Sequence, residues 1–296
     1  MTESQQNRPR LIVIAGPTAV GKTELAIRLA QYFETEILSC DSRQLYKELN
    51  IGVARPSSKE LLAAKHHFVA SHSIHDEYNA GIYARDVHYL LKKLFTKHEV
   101  VIMTGGTGLY VKAATEGLDI LPTKNEHLRE QLSYILETEG IEALQSVANS
   151  LEISDSEVDF TNPMRLMRAI EIKEGGEMEQ TAKSEPFFDT TYLYLDRDRD
   201  ELYDRINKRV DSMLAVGLEE EALGLLPYKD LNAMNTVGYK EMFKYFNKEW
   251  TYDHTVEKIK QHTRNYAKRQ LTWFRNQGNY TMVDANFSKV IAEINK

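Results

Sequence analysis

Cysteine is all but missing from this chain: Cys40 is the single thiol among 296 residues. That excludes an internal disulfide and fits a reducing, cytoplasmic setting. Cys40 lies in a β-like run, so it reads as a small buried side chain rather than a reactive thiol. Long apolar runs are missing too, and no stretch could span a bilayer. Residues 1–10 are polar, with no apolar segment behind a basic start; residues 1–8 read as a disordered tail, not a signal peptide. Positive charge is in the minority: 37 Lys and Arg face 44 Asp and Glu, a formal charge of −7. A uniformly basic nucleic-acid binder is thereby excluded, although a local basic face remains open. There are no repeats or low-complexity tracts, and no apolar seam that would demand an oligomer, so a monomer is expected.

The most specific feature present is Gly16-Pro17-Thr18-Ala19-Val20-Gly21-Lys22-Thr23, directly behind the apolar run Leu11–Ala15. Strand, glycine loop, Lys-Thr and helix in that order make a phosphate-binding loop. Backbone N–H groups converge on phosphate oxygens, and the positive end of the next helix points at them. Lys22 adds a point charge, and the Thr23 hydroxyl can ligate Mg²⁺.

Apolar spacing predicts a helix over 23–33, a second strand at 36–40, a helix near 82–95 and a third strand at 100–103. A fourth strand is expected at 192–195. Strands alternating with helices imply a P-loop NTPase-like α/β core, a parallel sheet covered by helices on both faces. Between about 119 and 188 strand signals vanish, and helical stripes run until Gly175-Gly176. The expected organisation is a core of 9–118 and 189–296 with a mainly helical insertion domain at 119–188. A further helix over 202–214 ends at Gly217, and a long one is expected from Asp253 as N-cap to about Arg275.

In such sheets ligands lie beyond the carboxyl ends of the strands. The phosphate loop, Asp41-Ser42-Arg43-Gln44 and Gly105-Gly106-Thr107 should therefore meet there. Asp41 either caps the next helix or serves a second substrate beside the phosphates. The third strand ends in Thr104-Gly105-Gly106, without the acid that NTP hydrolysis usually needs. A diphosphate leaving group fits better. Arg205 and Arg209 share a helical face that either closes over phosphates or is a salt-bridged solvent face with Asp204, Lys208 and Asp211. On the last long helix Lys258, Lys260, Arg264, Lys268, Arg269 and Arg275 face a lone Glu257. Lys260, Arg264 and Lys268 form one ridge. In an acidic chain that also carries Arg165 and Arg168, RNA is the favoured ligand for this ridge, and a solvated face is the alternative. Ile259, Tyr266, Trp273 and Phe274 supply the docking surface of that helix. The spacing of His66, His67, His72 and His75 is too irregular for a metal site.

With these segments in view, the chain resembles the tRNA dimethylallyltransferase family (tRNA isopentenyltransferases, IPP transferases). The resemblance rests on residues 16–23, Asp41 to Gln44, Ile51-Gly52-Val53-Ala54-Arg55-Pro56 and Gly105 to Tyr110. It continues through Asn162 to Ala169, Val237-Gly238-Tyr239-Lys240-Glu241 and Ala267 to Arg275, in order along nearly the whole chain. Val20 stands where Ser is common and Arg55 where Lys is common. The resemblance implies transfer of a dimethylallyl group from its diphosphate to N6 of adenosine 37 in tRNA. Residues 16–23 would then hold the diphosphate, with Arg205 and Arg209 over it and Mg²⁺ on Thr23. Asp41 would accept the N6 proton, and Thr107 would hold the amine or diphosphate. Asp41, Ser42, Arg43, Gln44, Thr107, Arg129, Met164, Arg165, Leu166, Met167, Arg168 and Asn235-Thr236-Val237-Gly238-Tyr239-Lys240 match segments that touch tRNA; Arg264, Lys268 and Arg269 join them from the basic helix. Competing readings are a small-molecule kinase, a prenyltransferase of free adenine nucleotides, and a non-catalytic RNA-binding protein that uses nucleotide as a switch.

Overall fold

A computed structural model describes residues 8–118, 122, 125–156, 158–175 and 186–296. Residues 1–7 of the expected tail, Asp119 at the expected boundary and Gly176 of the expected helix stop lie outside that set. The chain divides into two compact units, Met1–Gly117 with Glu185–Lys296, and Leu118–Ser184.

Six strands build the sheet of the larger unit: β1 (Arg10–Ala15), β2 (Ile37–Ser39), β3 (His66–His67), β4 (Val100–Gly105), β5 (Asp189–Leu195) and β6 (Thr281–Val283). Their order is β3-β2-β4-β1-β5-β6, and every pairing is parallel. Leu11 to Ala15 are fully buried, as expected of a central strand covered on both faces. The helices of this unit are α1 (Lys22–Tyr32), α2 (Ser58–Ala63), α3 (Ala80–Leu94) and α4 (Gly108–Glu116). In the other unit lie α5 (Glu126–Glu139), α6 (Ile141–Ser150) and α7 (Pro163–Glu174). The chain then returns to the sheet with α8 (Arg199–Ala215), α9 (Leu218–Leu225), α10 (Tyr239–Phe246), α11 (Tyr252–Asn276) and α12 (Phe287–Ile294).

Two strands escape the sequence pattern. β3 is two polar residues long, and β6 is three residues at the sheet edge. Neither offers the alternating or continuous apolar run that marks a strand. The N-cap of α11 is Thr251, not Asp253: its hydroxyl accepts from His254 N.

Register decides where the loops emerge. Ala15 pairs with Gly105 on one side and with Tyr194 on the other, while Ser39 pairs with Thr104. The phosphate loop after β1, the Gly-Gly-Thr loop after β4 and the acidic turn after β2 therefore leave the sheet at one level. Close approach is built in at Gly105, where an added Cβ would lie 2.5 Å from the Cys40 backbone. Cys40 itself is fully buried, and burial pushes its thiol pKa up.

Within the smaller unit, α5, α6 and α7 pack Leu132, Leu144, Ala148, Leu166 and Ile170 into a separate core. Glu171 is 2% exposed there and is held by two arginines: Arg129 Nε reaches it at 2.7 Å and Arg168 Nη1 at 2.6 Å. These bonds, that of Arg129 foremost, hold its carboxyl down to about 2. Among the described residues no helix is long and apolar enough to cross a membrane.

Candidate active site

A cleft of about 910 Å³ opens at the carboxyl ends of the strands. Its walls include Thr18, Ala19, Gly21, Lys22 and Thr23 from the phosphate loop, Asp41 to Gln44, Thr107, Arg205, Arg209, Asn235 to Gly238, Lys240 and Arg269. Residues from six separate parts of the sequence thus meet in one space.

The loop is tied at every turn. Gly16, Ala19 and Gly21 adopt positive φ of 144°, 65° and 112°. At Gly16 a Cβ would sit 2.8 Å from the Leu195 carbonyl, so only glycine fits the approach to β5. Lys22 Nζ donates to Gly16 O at 3.0 Å and Pro17 O at 2.7 Å. Burial lowers its pKa to about 8; Asp41 acts in the opposite direction and Arg209 in the same one. Arg205 Nε donates to Ala19 O at 2.8 Å, and Arg209 Nη1 to Thr18 Oγ1 at 3.2 Å. Burial, with Arg205 beside it, lowers the Arg209 pKa. The two faces of α8 are thus distinct: Arg205 and Arg209 close on the loop, while Asp204 pairs with Lys208 away from it.

Across the cleft, Asp41 Oδ1 accepts from Arg43 N at 2.9 Å and Gln44 N at 3.3 Å. The acid therefore caps its own turn with one oxygen and lines the cleft as well. Thr107 N donates to Cys40 O, and Thr107 Oγ1 accepts from Ser42 N at 3.0 Å. Arg43 reaches Asn232 O and Asn235 O, and Lys240 donates to Asn235 Oδ1, which fixes the 235–240 stretch on the same wall.

Other expected contact residues lie elsewhere. Leu166 and Tyr239 are fully buried and Met167 nearly so, each in a local core; the Tyr239 hydroxyl donates to Glu221 at 2.6 Å. Their side chains are taken up by packing. Arg129 and Arg168 are spent on Glu171, whereas Met164 and Arg165 are exposed at the start of α7. The expected ridge on α11 is not one free stripe. Lys260 pairs with Asp211 at 2.7 Å and Arg264 Nη1 donates to Asn207 at 2.6 Å, both on α8; Lys268 alone of the three is exposed. Asp211 and the amide of Asn207, both on α8, recruit the first two cations into helix packing.

Nothing in the sequence singled out Gln270, which is buried yet bonded to both loops. Tyr266, read as a docking residue, lines the cleft. Its pKa is raised by burial first and by Asp41. Gln270 falls within the matching segment Ala267 to Arg275, but nothing local assigns either residue a role, because their partners are distant along the chain.

A phosphate loop after β1 of a parallel sheet, with the acid that follows β2 lining the same cleft and no acid at the end of the intervening β4, defines an α/β protein of the phosphate-loop class. Comparison with known proteins sharpens this. The chain belongs to the IPP transferase family, whose pattern matches residues 44–277. It is 48% identical over 274 residues to a tRNA dimethylallyltransferase of Christiangramia forsetii and 45% identical to a tRNA dimethylallyltransferase of Bacteroides fragilis, with 90% of each chain covered in both cases. Its fold matches the crystal structure of the tRNA isopentenylpyrophosphate transferase from Bacillus halodurans with a TM-score of 0.71 at 32% identity, covering 97% of this chain and 94% of that one.

Proposed function

We propose that this chain is a tRNA dimethylallyltransferase that moves a dimethylallyl group from its diphosphate to N6 of adenosine 37, beside the anticodon. The observation that carries this reading is the placement of Asp41 and Thr107 in one cleft with the loop held by Lys22, Arg205 and Arg209. An anion cradle faces an acid across space wide enough for a flipped-out base.

The loop N–H groups, Lys22 and Arg209 receive the diphosphate. The N6–C1 bond forms as the C1–O bond breaks, diphosphate leaves with the electron pair, and the N6 proton passes to Asp41. An adenine amine is a weak nucleophile because its lone pair is delocalised into the ring. A carboxylate that takes up the developing positive charge is worth about 10²–10⁴-fold. Cations fixed around the leaving group stabilise its charge without reorganising. Closure over the donor keeps water from the allylic carbon. A stacked anticodon-loop adenine cannot reach such a depth, so it is extruded into the cleft.

Thr23 lines the cleft at the start of α1, and no cluster of three acids or histidines among the described residues offers a rival metal site. A Mg²⁺ ion would therefore take Thr23 Oγ1 together with diphosphate and water oxygens, the hard oxygen set it prefers. It would neutralise charge on the leaving group. Met164 and Arg165 of α7 in one unit, and Lys268 and Arg269 of α11 in the other, are exposed side chains that each unit offers to tRNA. The protein acts as a monomer in the cytoplasm, where tRNA and the donor are both available.

Asp41→Ala should leave tRNA affinity within a few-fold and slow transfer by about 10²–10⁴-fold. Lys22→Ala should raise KM for the donor by about 10–100-fold, the worth of a lost charge-assisted bond. Filter binding of tRNA and steady-state kinetics separate the two. Unchanged transfer by Asp41→Ala, or unchanged donor KM in Lys22→Ala, would remove that residue from its role.

A further inference from the structure

We propose that Gln270 is a positioning residue that fixes the spacing between the donor loop and the acceptor loop, and so decides whether the prenyl group passes to nitrogen or to water. The inference rests on the transfer reading above.

Gln270 lies on α11, far in sequence from either loop, and its side chain is 5% exposed. Oε1 accepts from the N–H of Thr18 in the phosphate loop at 2.9 Å. Nε2 donates to the carbonyl of Gly106 in the Gly-Gly-Thr loop at 2.9 Å. One amide thus spans both loops, and its orientation is set: flipping it would turn donor against donor and acceptor against acceptor. Gly106 makes room for it, since a Cβ at residue 106 would lie 2.0 Å from Nε2.

The tie continues towards the acid. Gly106 precedes Thr107, whose hydroxyl accepts from Ser42 N next to Asp41. Four residues before Gln270 on the same face of α11, Tyr266 lines the cleft together with Thr107. Other buried positions of α11 are filled by Ile259, Ala267, Phe274 and Thr255, whose hydroxyl bonds only within its own helix region, to Thr251 O. An apolar residue would serve packing equally well at 270. A buried amide is costly unless both ends are bonded, and here the two ends join the two halves of the reaction. Arg205 and Arg209 hold the donor loop from α8, but neither reaches the acceptor loop. Gln270 does reach both.

Transfer requires N6 and C1 to be held within reacting distance while the C1–O bond breaks. If the acceptor loop drifts from the donor loop, water attacks C1 instead, giving dimethylallyl alcohol, diphosphate and a proton. A misplacement of about 1 Å costs about 10²-fold in the aligned step. Gln270→Glu keeps an acceptor for Thr18 N but sets an oxygen against Gly106 O. Gln270→Met fills the space and loses both bonds.

The test compares the full chain with these two variants, using dimethylallyl diphosphate, tRNA and Mg²⁺, and measures both modified adenosine and dimethylallyl alcohol. For Gln270→Glu the expected result is a donor KM within about threefold, kcat for transfer down about 10²-fold, and an alcohol-to-adenosine ratio up at least about tenfold. Gln270→Met should show the same rise in ratio together with a raised donor KM. The product ratio is read per turnover of folded enzyme, so a partly unfolded variant still reports. A ratio equal to that of the unaltered protein in both variants, whatever the loss of kcat, would overturn the inference and leave Gln270 a packing residue. Unmodified tRNA with the unaltered protein would overturn the transfer reading itself, and this inference with it.

Discussion

One carboxylate oxygen of Asp41 is already engaged, since Oδ1 holds the N–H groups of Arg43 and Gln44. Among the described residues Oδ2 has no hydrogen bond, and it is the oxygen that can take a proton from a base. The capping and the chemical readings of this residue are therefore compatible, one on each oxygen. Lys22 makes a complementary case. Its folded pKa, lowered by burial to about 8 from 10.5, means that its charge is lost from the free protein as pH rises through about 8. Donor KM measured between pH 7 and 9 should rise, and tRNA affinity should change far less; a donor KM flat across that range would contradict this role for the charge. For stability the sign is opposite. A lysine whose folded pKa is depressed binds fewer protons folded than unfolded between about 8 and 10.5, so its penalty is full below that window and fades across it.

At the scale of elements, β1, α1 and β4 with their loops were legible because each signal is local: an apolar run, a glycine loop and a helical stripe adjoin in sequence. β3 and β6 were not, because two or three residues added to a sheet edge owe their conformation to pairing with β2 and β5. The basic ridge of α11 misled for a related reason. Charge spacing was plain, but the partners Asp211 and Asn207 come from α8. Gln270 and Tyr266 were invisible as site residues, since a buried Gln or Tyr in a helix carries no mark of what it touches. In the helical unit, buried Glu171 sits beside a core of Leu, Ile, Ala and Met side chains and is paired with the half-buried Arg129 and Arg168. Its carboxyl is held down to about 2, so the pair contributes fully above the ordinary value of 4.5 and is lost as pH falls from there towards about 2. Glu171→Gln should destabilise this unit by about 3 kcal/mol, because two arginines lose their anion. Denaturant titration followed by circular dichroism would show it; a midpoint equal to that of the unaltered protein would refute it.

Across the whole molecule the formal charge is −7, yet Lys22, Arg43, Arg205, Arg209, Lys240 and Arg269 all line one cleft. With Arg55, seven cations line it against Glu24, Asp41, Glu60 and Glu241, so the cleft is net positive in an acidic body and draws in polyanions that the remaining surface repels. Composition alone could report only the total. The parallel register that levels Ala15, Gly105 and Thr104 is what converts scattered motifs into a cleft. The central claim is that this cleft joins an allylic diphosphate to an adenine amine of tRNA. It is tested most directly by incubating the protein with unmodified tRNA, dimethylallyl diphosphate and Mg²⁺, digesting the RNA and weighing its nucleosides. The account predicts an adenosine heavier by one five-carbon unit on N6, formed over many turnovers at the position beside the anticodon. Unaltered adenosine throughout, or formation of ADP from ATP in place of any transfer, would contradict it.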